Sequence, residues 1–356
     1  MAAAMIEDAS QLASFKTALA RTDRAIRISW FGDSLTADDH MTHSLRTSLG
    51  ATLGAGGPGF VFAAPPHPYC QHRACRRTPS EEWTVHGIAG LVPPDKLLGL
   101  GGSAETDRGG TIELVPASAV ASVDVHYLAE PGGGAIELFA DRASIARVAT
   151  RHDTKASQFL RADVPADTKR VVLRASGNAR LFGITLEAAR GAVVDNLGIV
   201  NATAKSMHDH DRDDHLRVQL GHRAPDLVIA MYGANEAEWL APNGSGMAEH
   251  EQKLGDVLDA FRSSGAACLV VSPLDQIDWR DPKQPPRASI PAMVEAQRRA
   301  AKRAGCAFWN TYAWMGGKGS SIGWHKRGLL VGDFQHPTSE GAALIAEAIF
   351  TAVTSV

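Results

Sequence analysis

From about Thr111 to Glu187 this chain stops alternating strands with helices and runs strand after strand. Ser122-Val-Asp-Val-His-Tyr-Leu128, Ile136-Glu-Leu-Phe139, Arg170-Val-Val-Leu-Arg174 and Leu181-Phe-Gly-Ile-Thr-Leu-Glu187 follow a period of two. Pro131-Gly-Gly-Gly134 and Ser176-Gly-Asn178 separate them as turns. Short alternating strands with turn signals specify a β-sandwich or jelly roll. The flanks have another texture. Ile26–Phe31, Ala192–Ile199 and the run Asp226–Tyr232, read as fully apolar, look like strands of a buried parallel sheet. Strands at 267–272 and 306–311 alternate with helical segments at 247–264, 288–304 and 338–353, so the flanks predict one α/β unit. The expected organisation is therefore 1–75 and 191–356 as two parts of an α/β domain, with 76–190 as an inserted β domain. Residues 8–22 read as a helix, with Leu12, Phe15 and Leu19 on one face. Residues 64–109 show little periodicity and read as irregular. The glycine-rich stretch from Leu53 to Phe60 lacks the lysine of a phosphate loop and is expected to turn near the functional site.

With 356 residues and 44% hydrophobic content the chain has ample material for a core. A net charge of −3 gives no basic footprint for nucleic acid. No apolar run is long enough to span a bilayer. Met1 to Asp8 carries no basic n-region and no apolar h-region, so no signal peptide is read there. That leaves a cytoplasmic protein or one whose leader is already removed. Of the four cysteines, Cys268 and Cys306 sit in apolar runs and read as small core residues. Cys70 and Cys75 lie close together in a polar loop and would form a small disulfide in an oxidising compartment.

The run Ile26–Phe31 ends abruptly in Gly32-Asp33-Ser34-Leu35, ahead of a polar helical segment. A serine at such a strand–turn–helix junction stands beside free backbone N–H groups. It serves either as a helix cap or as a nucleophile whose oxyanion those amides can hold. Two other strands end in polar residues. One runs into Gly233-Ala-Asn-Glu236, where Asn235 can donate to an oxyanion. The other polar end is Gly332-Asp-Phe-Gln-His-Pro337, just before the last helix. Asp333 and His336 are three apart, a spacing that lets a carboxylate brace an imidazole. In an open α/β sheet all three groups converge at the carboxyl ends of the strands.

These three motifs, in this order, resemble the SGNH (GDSL) hydrolase superfamily. Gly56-Gly-Pro-Gly-Phe-Val61, Ala307-Phe-Trp-Asn-Thr-Tyr312, Met315-Gly-Gly-Lys-Gly-Ser320 and the run from Trp324 to His336 are similar to its bacterial peptidoglycan O-acetylesterase-like subgroup, which carries an inserted β-sandwich. The resemblance spans both α/β parts and is thin over the insert. It implies a three-layer α/β/α, flavodoxin-like parallel sheet. It also implies a serine esterase with Ser34 as nucleophile, His336 as general base and Asp333 orienting it. The implied oxyanion donors are Asn235, the Ser34 amide and the amide of a second-motif glycine. By register that glycine is Asn201 here, with Gly198 the weaker match; the usual aspartate after the third-motif Asn is Glu236.

The implied substrate is an O-acyl, chiefly O-acetyl, ester on peptidoglycan or another polysaccharide, outside the cytoplasm, with the insert helping to hold the glycan. The rival readings are a general carboxylesterase or lipase-like hydrolase of small acyl esters, and a non-catalytic glycan-binding protein. No cofactor or metal is implied, and oligomeric state is not legible. The segment Met207–His215 is dense in metal-ligating residues but reads as a solvated helix start. His40 and His43 are rival bases with no braced partner. Trp239, Trp279 and Trp324 are expected to pack rather than to stack on a sugar. Residues 278–287 read as an exposed loop near the site.

Overall fold

The computed structural model describes residues 6–210, 214–281 and 283–355. A short strand β1 (Ile6–Glu7) and helix α1 (Ala13–Leu19) precede β2 (Ala25–Gly32). The expected helix at 8–22 is a 3-10 turn over Ala9–Leu12 followed by α1, with Leu12 and Phe15 buried. Next come α2 (Ser34–Ala37), α3 (His40–Leu53) and β3 (Gly59–Val61). Ten strands follow without a helix: β4 (Cys75–Pro79), β5 (Thr84–Gly87), β6 (Gly102–Thr106), β7 (Gly110–Pro116), β8 (Ser122–Ala129), β9 (Ala135–Ala140), β10 (Ala143–Ala149), β11 (Ala156–Asp163), β12 (Val171–Ser176) and β13 (Ala179–Glu187). The chain then returns to alternation with β14 (Gly191–Gly198), α4 (Ala204–Asp209), α5 (His215–Arg223), β15 (Leu227–Met231), α6 (Glu236–Trp239), α7 (Ser245–Arg262), β16 (Ala267–Val271), α8 (Ser289–Ala304), β17 (Ala307–Trp309), α9 (Thr311–Met315), α10 (Ser320–Lys326) and α11 (Ser339–Thr354).

The alternating part forms one sheet in the order β1-β17-β16-β15-β2-β14, parallel except at β1. Counting its parallel strands along the chain gives 2-1-3-4-5, the flavodoxin-like winding. Strand residues alternate between two helical layers. Ile26, Ile28 and Trp30 join Met41, Leu45, Ile345 and Ile349 on the α3/α11 side. Phe31 faces the other way and stacks on Phe261 of α7, ring centroids 4.3 Å apart. The result is the expected three-layer α/β/α body.

The ten-strand run forms two antiparallel sheets, β10-β9-β12-β7-β4 and β11-β8-β13-β6-β5, with β3 added to β13. Their inner faces bury Ile112, Leu114, Ile136, Leu138 and Leu173 against Val123, Val125, Leu181 and Ile184. Three of these strands, β4, β5 and β6, lie in the stretch that reads as irregular. β4 and β5 are sheet edges of five and four residues. An edge strand pairs on one side only, so it needs little apolar alternation and leaves little periodicity to read.

Two further readings are corrected. Cys268 and Cys306 are joined as a disulfide between neighbouring strands, while Cys70 and Cys75 are free and buried. Closing a loop of this sequence separation, 38 residues, is worth about 4 kcal/mol in chain entropy. The glycine-rich loop does not reach the carboxyl ends of the sheet. The Gly56 amide donates to Ala192 O at 2.9 Å and the Phe60 amide to Asp195 at 2.8 Å, which places the loop beside β14, starting at its amino end.

One ionic cluster ties the two parts together. Arg223 at the end of α5 donates to Asp195 of β14 twice, at 2.8 Å each, and to Glu187 of β13 at 2.6 Å. Arg27 of β2 meets the other oxygen of Glu187 at 2.8 Å, and Ser29 donates to Asp195 at 2.7 Å. Burial opposes both carboxylates, but the Arg223 charge outweighs it and holds Glu187 down to about 2 and Asp195 below its ordinary value. Removing one partner of a buried pair strands the other charge, at about 3–5 kcal/mol. Arg223→Met is therefore expected to lower unfolding free energy by about that much at pH 7, measured by urea denaturation. Wild-type carboxylates are depressed, so their contribution is full above the ordinary carboxylate range and fades as pH falls toward about 2. Orphaned in the variant, they take up protons more readily, so the gap between the two proteins should narrow at pH 4. A gap that does not narrow would remove the carboxylates from this account.

Candidate active site

The parallel sheet reverses its winding between β2 and β15, and their carboxyl ends open a crevice there. β2 leads directly into the Ser34 turn. A Cβ on Gly32 would sit 2.3 Å from Thr36 Oγ1 and 2.9 Å from Met231 O, so this turn tolerates only glycine. Asp33 caps α2, accepting from the Leu35 amide at 2.9 Å. Ser34 is consequently the first residue of α2 and not its cap. Its amide has no intrahelical acceptor.

His336 arrives from the turn before α11. Its Nε2 lies 2.7 Å from Ser34 Oγ and its Nδ1 2.7 Å from Asp333 Oδ2. Asp333 is itself fixed, since its Oδ1 accepts from the amides of Gln335 and His336 at 2.9 Å each. Phe334 stands between them at φ 59°, and its ring lies 4.3 Å from that of His325. A carboxylate only accepts, so it selects the Nδ1–H tautomer and leaves the Nε2 lone pair facing the serine hydroxyl. Burial opposes ionisation of Asp333, but the hydrogen bonds from His336 and the two amides win and hold it at about 2. Burial also works against the imidazolium, yet Asp333 raises His336 above its ordinary value, with Asp33 and Asp38 adding to it.

The other expected residues stand opposite. Asn235 Nδ2 donates to Ala202 O at 3.0 Å, which orients the amide and leaves its second N–H for the crevice. Asn201 is the third residue of a turn closed by the Ala202 amide on Ile199 O, with φ 65°. A turn of this shape favours glycine there and accepts asparagine best among the rest. The substitution thus keeps the backbone conformation. Gly198 is set back: its amide donates to Asn196 Oδ1 at 3.0 Å, and it does not line the cleft.

Glu236 does more than its motif position suggests. Its buried carboxylate accepts from the amides of Ala204 at 2.9 Å and Gly233 at 3.0 Å, clamping together the two loops that carry Asn201 and Asn235. The signal was present in the Asn-Glu pair but gave no hint of this reach.

Ser34, Asn201, Asn235, Asp333 and His336 share a cleft of about 1320 Å³. Tyr69, Trp239 and Trp279 also line it. The tryptophans correct the packing expectation: Trp239 is 74% and Trp279 56% exposed, with the Arg280 guanidinium 4.3 Å and 5.3 Å from their rings. Trp324 does pack, buried and donating to Met315 O. Trp279 and Arg280 belong to the loop expected near the site; Pro282 of that loop lies outside the described residues. Among the described residues no part of β4–β13 lines the cleft, so the insert supplies no wall to it. His40 lines the cleft but its Nε2 is taken by Arg73 at 2.8 Å, and His43 does not line it. In the Met207–His215 segment Asp211–Asp213 lie outside the described residues. Asp209 is held by Lys205 and Lys253, and His215 accepts from the Gly99 amide at 2.8 Å.

Residues 168–344, just under half of the chain, match the model of the GDSL-like lipase/acylhydrolase family. With that match the chain reads as an SGNH hydrolase. It is a carboxylic ester hydrolase of the SGNH type. The matched segment contains Asn201, Asn235, Asp333 and His336, and the Ser34 turn precedes it. A solved peptidoglycan O-acetylesterase, caught in action at 5 min, is similar over 99% of this chain and 100% of its own, at 24% identity and a TM-score of 0.81. At that identity the likeness shows a shared fold, insert included. An acetyl xylan esterase, AlAXEase, matches 46% of this chain and 80% of its own at 16% identity and a TM-score of 0.35. A carbohydrate esterase family 2 enzyme with a carbohydrate-binding domain, from Corynascus thermopiles, matches 76% and 99% at 12% identity and a TM-score of 0.35. Scores that low carry no argument. No curated protein matches the chain.

A base that must be neutral works only above its own pKa. With His336 as the proposed base and its pKa raised, kcat/KM of this SGNH hydrolase should climb with pH through a midpoint above the ordinary 6.5 of histidine. Asp333→Asn removes the charge that raises it, so the midpoint should fall while the rate drops. An unmoved midpoint in the pH–rate profile would show that a different group titrates.

Proposed function

We propose that the protein is a serine esterase that removes O-acetyl groups from a polysaccharide, with peptidoglycan as the leading candidate. The observation that carries the reading is the continuous relay from Asp333 through His336 to Ser34, at 2.7 Å for each side-chain contact. His336 Nε2 takes the hydroxyl proton as Ser34 Oγ attacks the ester carbonyl. The Ser34 amide, the Asn201 amide and the free N–H of Asn235 receive the developing oxyanion. His336, braced by Asp333, then gives its proton to the departing sugar oxygen, which breaks the C–O bond and leaves an acetyl-enzyme. Water attacks the acetyl carbonyl as His336 removes its proton; the Ser34 Oγ–acyl bond then breaks, His336 returns the proton to Ser34 Oγ, and acetate departs. General-base help is worth about 10²–10⁴-fold, and each oxyanion donor about 10²–10³-fold.

The acyl-carbohydrate reading is supported by three things. The solved O-acetylesterase shares the whole architecture. The cleft, at about 1320 Å³, has room for more than one sugar unit. Its rim carries exposed Trp239 and Trp279, whose flat faces suit a sugar ring. The Cys268–Cys306 disulfide supports a placement in an oxidising compartment, outside the cytoplasm.

Ser34→Ala should cut kcat by a factor on the order of 10⁴–10⁶ while circular dichroism and thermal unfolding stay unchanged. Activity above a few per cent of wild type would sink the assignment of the nucleophile. Substrate is tested by acetate release from O-acetylated peptidoglycan set beside acetylated xylan and nitrophenyl esters of acetate and longer acids. Faster turnover of the longer nitrophenyl esters would favour a general carboxylesterase instead.

Trp239→Ala is expected to raise KM on the polymer by about 5–160-fold, the worth of roughly 1–3 kcal/mol of lost stacking, and to leave small-ester kinetics untouched. Equal loss on both substrates would mean that Trp239 supports the site rather than the glycan.

A further inference from the structure

We propose that Asp124, His126 and His222 form a binding site for one divalent transition-metal ion of the zinc type, at the junction between the β-sandwich and helix α5. A carboxylate oxygen of Asp124 and one ring nitrogen from each histidine all lie within 4.8 Å of one another. This is the only such group of three among the described residues.

The placement follows from strand alternation. Val123, Val125 and Tyr127 of β8 point into the sandwich core. Asp124 and His126 therefore face the other way, towards α5, which brings His222 and Gln219. All of this is buried except His222, whose side chain is 30% exposed and opens the cluster to solvent.

A chain of hydrogen bonds fixes the protonation of His126. The Gly99 amide donates to His215 Nε2 at 2.8 Å, so His215 carries its proton on Nδ1 and donates to Ser157 Oγ at 3.0 Å. Gln219 Nε2 also donates to Ser157 Oγ, at 3.1 Å. That turns the Gln219 carbonyl towards His126 Nδ1, at 2.8 Å, which must then be the N–H of that ring. His126 Nε2 is left as a bare lone pair with no partner, on a side chain that is fully buried. Oδ1 of Asp124 is likewise buried and unpartnered.

An imidazole whose second nitrogen donates to an oxygen acceptor is the usual state of a metal-bound histidine. Two imidazoles and a carboxylate suit zinc and its neighbours, with a fourth position left for water. The direct contact of His222 Nε2 with Asp124 Oδ2, at 2.7 Å, would have to open. Ligands on a tetrahedral zinc at about 2.0–2.1 Å stand about 3.3 Å apart, so that contact has to lengthen by about 0.6 Å, and a pair at the 4.8 Å limit has to close by about 1.5 Å. None of the three residues lines the Ser34 cleft, so the ion would take no direct part in ester hydrolysis and would clamp β8 to α5.

The test uses the full chain, stripped with EDTA and titrated with Zn²⁺ by calorimetry. Wild type should bind one equivalent, and Co²⁺ in its place should give the visible d–d absorption of a four-coordinate ion. His222→Gln and Asp124→Asn should each weaken binding at least tenfold. Gln219→Met, which touches no ion, should weaken it about 10–100-fold by freeing the His126 ring. His208→Gln should bind as wild type does, and nitrophenyl acetate hydrolysis should be the same in all four variants, which certifies their folding. No binding by wild type would overturn the proposal. So would undiminished binding in His222→Gln, or loss in His208→Gln, which would move the ion to the His208 end of α4.

Discussion

The Arg223 cluster is the constraint on which the architecture turns. One guanidinium neutralises Asp195 in the second parallel strand and Glu187 in the last strand of the sandwich. Glu187 in turn holds Arg27, and Asp195 holds Ser29 and the Phe60 amide. None of these charges is tolerable alone in the interior, because desolvation without a partner costs several kcal/mol per ion. Each is tolerable only when α5, β2, β3, β13 and β14 are all in place. The cluster therefore couples the sandwich to the α/β sheet more tightly than apolar packing alone would, since apolar surfaces can slide and a fork of hydrogen bonds cannot.

That coupling acts at the end of the sheet away from the chemistry. The excursion into the sandwich leaves through Gly56 and returns at Gly191, both at the amino end of β14. The carboxyl ends remain free to gather loops from distant parts of the sequence. Gly32 lets the Ser34 turn press against the end of β15, and Gly233 adopts φ 102° at the end of that neighbour. Glu236 then joins the Gly233 loop to the Ala204 loop. A mobile oxyanion hole would lose its advantage, because such donors act by being aimed before charge develops. For the proposed oxyanion donors Asn201 and Asn235, Glu236 supplies that rigidity from behind, without lining the cleft.

Features of the sequence that depend on neighbouring residues were readable. The apolar strands, the Gly32–Leu35 turn and the Asp333–His336 spacing all express local geometry. So does the period-two run at 122–187, whose strands must bury one face. Asn201 was readable as a departure, and φ 65° explains why asparagine is the residue that stands there. What failed was set by contacts across the fold. β4 and β5 draw their order from β7 and β6, not from their own pattern. Cys268 and Cys306 look like core residues because they are core residues; only the pairing of adjacent strands brings their sulfurs together. Trp239 and Trp279 carry the same local signature as Trp324, and only tertiary position separates the exposed pair from the buried one.

The distribution of aromatic surface bears on how the two parts divide their work. The cleft wall is built almost wholly from the α/β part, with Tyr69 contributed by the segment between β3 and β4. The sandwich adds no residue to it. A wall-forming role for the insert is therefore inconsistent with the fold, and a mechanical one is not. The insert's β8–β11–β13 sheet presses polar and aromatic residues, His126 and Phe159 among them, onto α5, where Phe159 stacks on His222 at 3.5 Å. α5 ends at Arg223, so pressure on this face fixes the same helix that neutralises Asp195. Asp195 lies three residues before Gly198 and six before Asn201 on a single chain segment. The sandwich thus connects to the segment of the proposed oxyanion donor Asn201 only indirectly, through α5 and β14.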